Sequence, residues 1–331
     1  MRFLRVALLT AICVQAADSG LNYLNHNKPI LDAHNCYPYE GEWNDRIDRA
    51  LSTGFPVAIE QDLAWFKPET GPGRVVVSHT PKTTGPEPLL RNYFFERVRP
   101  IVEEALRKND RSSWPIIVLH FDFKDVQAPL LHAVWEVLGE YQGWLTTAVK
   151  TADPNHLSPF EPAPILAITE DSDAQQAVFY DEVPVGAKLR LFGSAHTATL
   201  TGDSKQRNHL MATLPPEKLL TEKPTNYRRW WNNSWFEVEE GGQHEAGDWT
   251  DADNRRLKSL VDYAHHQGFW IRFYTLDGFG PGDDKGGWGN GYNFGSRTAV
   301  EARWKAALDA GVNFIATDQY EDFGAYMKQK H

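Results

Sequence analysis

Residues 57–80 read VAIEQDLAWFKPETGPGRVVVSHT. A short apolar run carries Glu60 and Asp62 two positions apart at its end. A Pro/Gly-rich turn follows, and a second apolar run ends in His79. In a strand, residues i and i+2 share a face, so the two acids point together. The stretch reads as a strand, 56–62, with a second segment, 74–79, that extends or pairs with it.

Outward from this stretch the chain alternates. Strands are expected at 29–34, 115–123, 163–169, 187–193, 269–275 and 312–318. Helices are expected at 44–52, 89–106, 126–138, 254–266 and 298–310. Residues 254–266 place Leu257, Leu260, Val261 and Ala264 at helical spacing. The run PIIVLHFDF at 115–123 is almost continuously apolar, which suits burial on both faces. Strand–helix alternation implies parallel pairing and right-handed crossovers. The strand count reaches eight only with a weak strand at 232–238. The expected fold is α/β, a closed (β/α)8 TIM barrel, possibly irregular, with an open doubly wound sheet as the alternative. No G-x-G-x-x-G turn follows the first strand, which argues against a dinucleotide-binding version of that alternative.

The 331 residues suit one such barrel. Residues 1–17 have basic Arg2 and Arg5, an apolar stretch from Val6 to Val14 and small residues at Ala16 and Ala17. They read as a signal peptide cleaved near Ala16 or Ala17, leaving a single catalytic domain over 18–331 that is secreted or periplasmic. Losing Arg2 and Arg5 takes the net charge from −10 to about −12. That excludes the basic footprint of a nucleic-acid binder and a general attraction to anionic membranes. No protein partner is read from the sequence. Cys36 is the one cysteine after the leader, so the core has no internal disulfide.

At the C-terminal face of a barrel, strand ends carry the chemistry. Glu60, Asp62, Asp122 and Lys124 reach that face, as do His34 after the first strand and His79 after the hairpin. Three close carboxylates repel one another, and a hard divalent cation relieves the repulsion. All-oxygen donors suit one Mg²⁺ or Ca²⁺ better than Zn²⁺. Two histidines flanking the acids suit general acid–base work, and neighbouring carboxylates favour the imidazolium in at least one of them. Arg272 and Tyr274 alternate with Ile271 and Phe273 and are candidates for substrate contact. The indole-rich RRWWNNSW at 228–235 is either core or a wall for an apolar or cationic group. The Gly-rich 277–296, with Trp288 and Tyr292, is a lid or a flexible loop on the same face.

AHN at 33–35, ALSTGFPVAIEQDLAW at 50–65, VVSH at 76–79 and FDFK at 121–124 resemble the phospholipase C-like phosphodiesterase superfamily. That superfamily includes glycerophosphodiester phosphodiesterases, toxin-type phospholipases D and phosphatidylinositol phospholipases C. GVNFIATDQYEDF at 311–323 resembles the last strand of these barrels. The resemblance implies His34 and His79 as the catalytic pair, and Glu60, Asp62 and Asp122 as ligands of the cation. It implies Lys124 against a phosphate oxygen, with Asn35 beside it among the substrate contacts. The substrate is then a phosphodiester, a small molecule or a lipid head group. Asn35 stands where the glycerophosphodiesterase pattern has Arg, and Thr80 where it has Asp. The cysteines of the spider toxins near the second histidine are missing. A glycoside hydrolase using Glu60 and a second carboxylate, with tryptophans stacking on sugar, is the rival enzyme reading. A non-catalytic binding protein on the same fold is the third.

Overall fold

The computed structural model describes residues 29–39, 42–283 and 292–330. The expected signal peptide lies outside the described residues. Eight strands close a parallel barrel: β1 (Ile30–Ala33), β2 (Val57–Phe66), β4 (Ile117–Phe123), β7 (Ile165–Thr169), β9 (Phe192–Ser194), β10 (Arg228–Ser234), β11 (Trp270–Tyr274) and β12 (Phe314–Thr317). Closure is made by β1, which pairs with β12 through Ile30↔Phe314 and with β2 through Leu31↔Val57. This excludes the open sheet. The small strands β5 (Thr147–Val149), β6 (Phe160–Glu161) and β8 (Lys188–Leu189) form a separate antiparallel sheet. Among the described residues no helix is long and apolar enough to cross a membrane.

The strand β2 is longer than the barrel needs. Through Leu63 it pairs in parallel with β4, and from Leu63 to Phe66 it pairs antiparallel with β3 (Arg74–Val77). The returning chain brings Ser78 N to within 2.9 Å of Asp62 O and sets His79 beside the acids it follows in sequence. A glycine is required at Gly73, where a Cβ would overlap the Trp65 ring. The register of β2 and β4 puts Glu60 opposite His120 and Asp62 opposite Asp122.

Two strand expectations are corrected. The sixth barrel strand is 228–234, not 232–238, because Ser234 turns the chain: its hydroxyl accepts from Phe236 N at 3.3 Å and caps a 3-10 turn, Trp235–Glu237. The aromatic run itself is the strand, in keeping with the preference of large rings for sheet. The stretch 187–193 is two strands, since Leu189 pairs with Ala148 in the small sheet whereas Phe192 pairs with Ile168 in the barrel. Trp230, Trp231 and Trp235 are fully buried. The first two donate their indole N–H to Thr169 O at 3.0 Å and Thr197 Oγ1 at 2.9 Å. They are core residues with satisfied polar atoms, not a binding wall.

Candidate active site

A cavity of about 570 Å³ opens at the C-terminal end of the barrel. His34, Asn35, Glu60, His79, Asp122, Lys124, Arg272 and Tyr274 line it, with Glu170, Asn232, Thr275, Asp277, Tyr292 and Asp318. The eight sequence candidates in that lining come from five separate stretches of chain, and the buried Asp62 adjoins Glu60 and Asp122.

His34 continues β1, its N–H reaching Thr317 O at 3.2 Å. Its Nδ1 lies 2.9 Å from Asp318 Oδ1 and its Nε2 is 3.6 Å from Glu60 Oε2. Burial opposes a charge on the ring, but Glu60 and Asp318 outweigh it and raise the imidazole to about 9. The balance favours the charged imidazole. His79 is half-exposed and rests its Nδ1 2.8 Å from Asp62 Oδ2 and 2.7 Å from the Tyr37 hydroxyl. Each histidine thus has its own carboxylate.

Glu60, Asp62 and Asp122 each present an oxygen, and these three atoms lie within 4.8 Å of one another. Burial would keep Glu60 protonated, yet the cations of His34 and Arg272 hold it down at about 2. Asp122 moves the other way, to about 6, because burial and the Asp62 charge both disfavour ionisation. Lys124 Nζ bridges the pair, 2.9 Å from Asp62 and 2.7 Å from Asp122. Three carboxylate oxygens gathered on one wall could hold a divalent ion.

Arg272, on the cavity wall, is almost wholly buried. Its guanidinium meets Asp32 at 2.5 Å, Glu60 at 3.2 Å and Asn232 Oδ1 at 3.1 Å. Asn232 in turn donates to Glu170 at 2.8 Å, and Glu170 meets His120 Nε2 at 2.6 Å. The ring of charges fixes Glu60 from below. Asn232 opens a glycosylation-like N-x-S triplet, yet its amide is committed to this network. Asn35 takes a left-handed φ of 50°, which Asn tolerates, and turns its amide towards Asp318. Tyr274 faces the same cavity, and the burial of its phenol drives its pKa upward. Of the expected lid, residues 284–291 with Trp288 lie outside the described residues, while Tyr292 lines the cavity.

No protein-family model matches the chain, and no curated protein matches it. Among solved structures the chain is similar to two glycerophosphodiester phosphodiesterases from Parabacteroides distasonis ATCC 8503. One is 13% identical with a TM-score of 0.42, covering 93% of this chain and 89% of the other. The second is 12% identical with a TM-score of 0.46, covering 92% and 98%. The chain is also similar to a Plasmodium falciparum HPPK-DHPS with pteroate, at 10% identity and a TM-score of 0.45, over 93% of this chain and 50% of that one. At such identities the site itself has to carry the functional reading.

Sequence reasoning missed Asp318, Asp277, Glu170, Asn232, Asp32, His120 and Tyr37. Position offered a signal for some of them. Asp318 directly follows the last strand in IATD, and Glu170 directly follows β7, so both fall at the C-terminal rim where chemistry is expected. Asp32 and His120 gave none, since a single polar residue inside an apolar strand discloses its partner only once the barrel is closed.

Proposed function

We propose that this protein is an exported, metal-dependent phosphodiesterase. One arrangement carries the reading: two imidazoles, each bound at Nδ1 to its own carboxylate, flank three carboxylates whose oxygens lie within 4.8 Å. The leader-like segment 1–17 supports export.

Glu60, Asp62 and Asp122 would hold the cation. When bound, Mg²⁺ or Ca²⁺ supplies Lewis-acid polarisation of a non-bridging phosphate oxygen. His34, already protonated, hands its proton to the leaving alkoxide. His79 takes a proton from the attacking group or attacks phosphorus itself. Lys124 adds positive charge beside the phosphate, and Arg272 keeps Glu60 ionised and in place. The rival glycosidase reading loses the 228–235 indoles as a sugar-stacking wall, because Trp230, Trp231 and Trp235 are core, and a Glu60 held near 2 does not serve as a general acid.

The test is hydrolysis of bis(p-nitrophenyl) phosphate, with EDTA and then with Mg²⁺ or Ca²⁺ restored, beside His34→Ala and Glu60→Ala. Turnover that needs metal and dies in both variants is expected. Turnover indifferent to EDTA and to both substitutions rules the proposal out.

A further inference from the structure

Tyr37 is fully buried, does not line the cavity, and takes no part in the chemistry above. Its hydroxyl nevertheless lies 2.5 Å from Asn35 Oδ1 and 2.7 Å from His79 Nδ1. The chemistry of the partners fixes which way the Asn35 amide and the phenol proton point. The Asp318 carboxylate only accepts, and Asn35 Nδ2 sits 3.1 and 3.2 Å from its two oxygens. The amide nitrogen therefore faces Asp318, and the amide oxygen faces Tyr37. That oxygen also only accepts, so the phenol donates towards it at 2.5 Å, while the same hydroxyl meets His79 Nδ1 and the Asp62 carboxylate. The second partner of His79 Nδ1 is Asp62 Oδ2 at 2.8 Å, again an acceptor. His79 Nδ1 is thus held between the Asp62 carboxylate and the Tyr37 hydroxyl.

The tilt of the ring is set as well. Tyr37 and His79 stack with centroids 5.8 Å apart and planes 16° from parallel. Asn35 is anchored at both ends of its backbone: its N–H reaches Glu60 Oε2 at 3.3 Å and Arg46 donates to its carbonyl at 2.7 Å. Asp318, where the chain of bonds starts, is also the partner of His34 Nδ1.

We propose that Tyr37 is a positioning residue: oriented by Asn35 and Asp318, its hydroxyl and ring fix the position and tilt of His79 and join the two histidines in one hydrogen-bonded array. The proposal rests on the reading of His79 as a reacting group of a phosphodiesterase.

Tyr37→Phe keeps the stacked ring and deletes only the oxygen. With bis(p-nitrophenyl) phosphate and metal, kcat is expected to fall about 10-fold or more, with KM within about twofold and an unchanged melting temperature. Tyr37→Leu, which also loses the stack, should fall further. Wild-type kcat in Tyr37→Phe, where His79→Ala is dead, overturns the relay and leaves the phosphodiesterase reading standing. A wild-type rate in His79→Ala overturns that reading and the relay with it. A Tyr37→Phe protein that melts early and loses kcat and KM together assigns Tyr37 to packing alone, against the proposal. A readout without turnover is the ¹⁵N spectrum of the His79 ring in the wild-type protein. That spectrum is expected to differ at the ring nitrogens from the Tyr37→Phe spectrum, and coincident spectra overturn the proposal whatever the substrate.

Discussion

His34 Nδ1 and Asp318 Oδ1 lie 2.9 Å apart, although 284 positions separate them in the chain. The contact exists because β1 and β12 are neighbours at the closure of the barrel, so both residues leave the same end of adjacent strands. Asp318 helps to raise His34 to about 9 and also orients its ring. Asp318→Asn should therefore lower the His34 pKa. If His34 is the acid, the alkaline limb of the kcat/KM profile moves to lower pH, and kcat falls by about 10²-fold. A pH–rate profile of the variant checks both; an unmoved alkaline limb would separate Asp318 from the proton donor.

Arg272 compensates two buried carboxylates at once. Removing it as Arg272→Met keeps most of the volume, takes the guanidinium from Asp32 and leaves Glu60 with His34. Breaking such a buried pair costs about 3–5 kcal/mol. Urea unfolding should show a loss of that order, well beyond that of an exposed ion-pair variant such as Lys258→Met. A loss below about 1 kcal/mol would mean that water or another cation takes over the role.

The fold was legible where burial imposes a pattern. The continuous apolar run of β4 and the spacing of Leu257, Leu260, Val261 and Ala264 reflect elements covered on a known face. The strand 228–234 was misplaced because two adjacent arginines followed by two adjacent tryptophans show no alternating period, and only the barrel shows that the indoles are core. In the candidate site, the acids of β2 were legible because i and i+2 share a face whatever the fold. The partners of the histidines were not, for opposite reasons. His79 meets Asp62 only because β3 folds back along β2. His34 meets Asp318 only because the barrel closes. Tyr37 reads as an ordinary aromatic residue until the hydroxyl's neighbours are known.

The acidic wall predicts a metal-linked stability. An ion that binds only the folded state at 100 times its Kd adds about 2.7 kcal/mol. Mg²⁺ or Ca²⁺ should raise the melting temperature of the wild-type protein, and EDTA should reverse the rise. Glu60→Gln and Asp122→Asn should each abolish or sharply weaken the response. Equal responses in wild type and both variants would place the ion elsewhere. The assay needs no substrate, so it judges the metal site apart from the reaction.

Glu237 predicts a pH dependence away from the reacting groups. It is buried at the 3-10 turn after β10, where its side chain accepts from Ser234 Oγ at 2.9 Å. The nearby Arg256 donates to its backbone carbonyl at 2.7 Å. Burial dominates and raises the carboxyl from 4.5 to about 7. A raised pKa means that the folded state holds the proton more tightly than the unfolded one. The Glu237 contribution is then fully present below about pH 4.5 and is lost as pH rises through 7. Glu237→Gln cannot ionise and keeps an oxygen to accept from Ser234. The variant should match wild type near pH 4 and be more stable at pH 8 by on the order of 2–3 kcal/mol. Urea midpoints for the two proteins at pH 4, 6 and 8 measure the divergence, and parallel curves across that range would show that the folded state solvates the Glu237 charge.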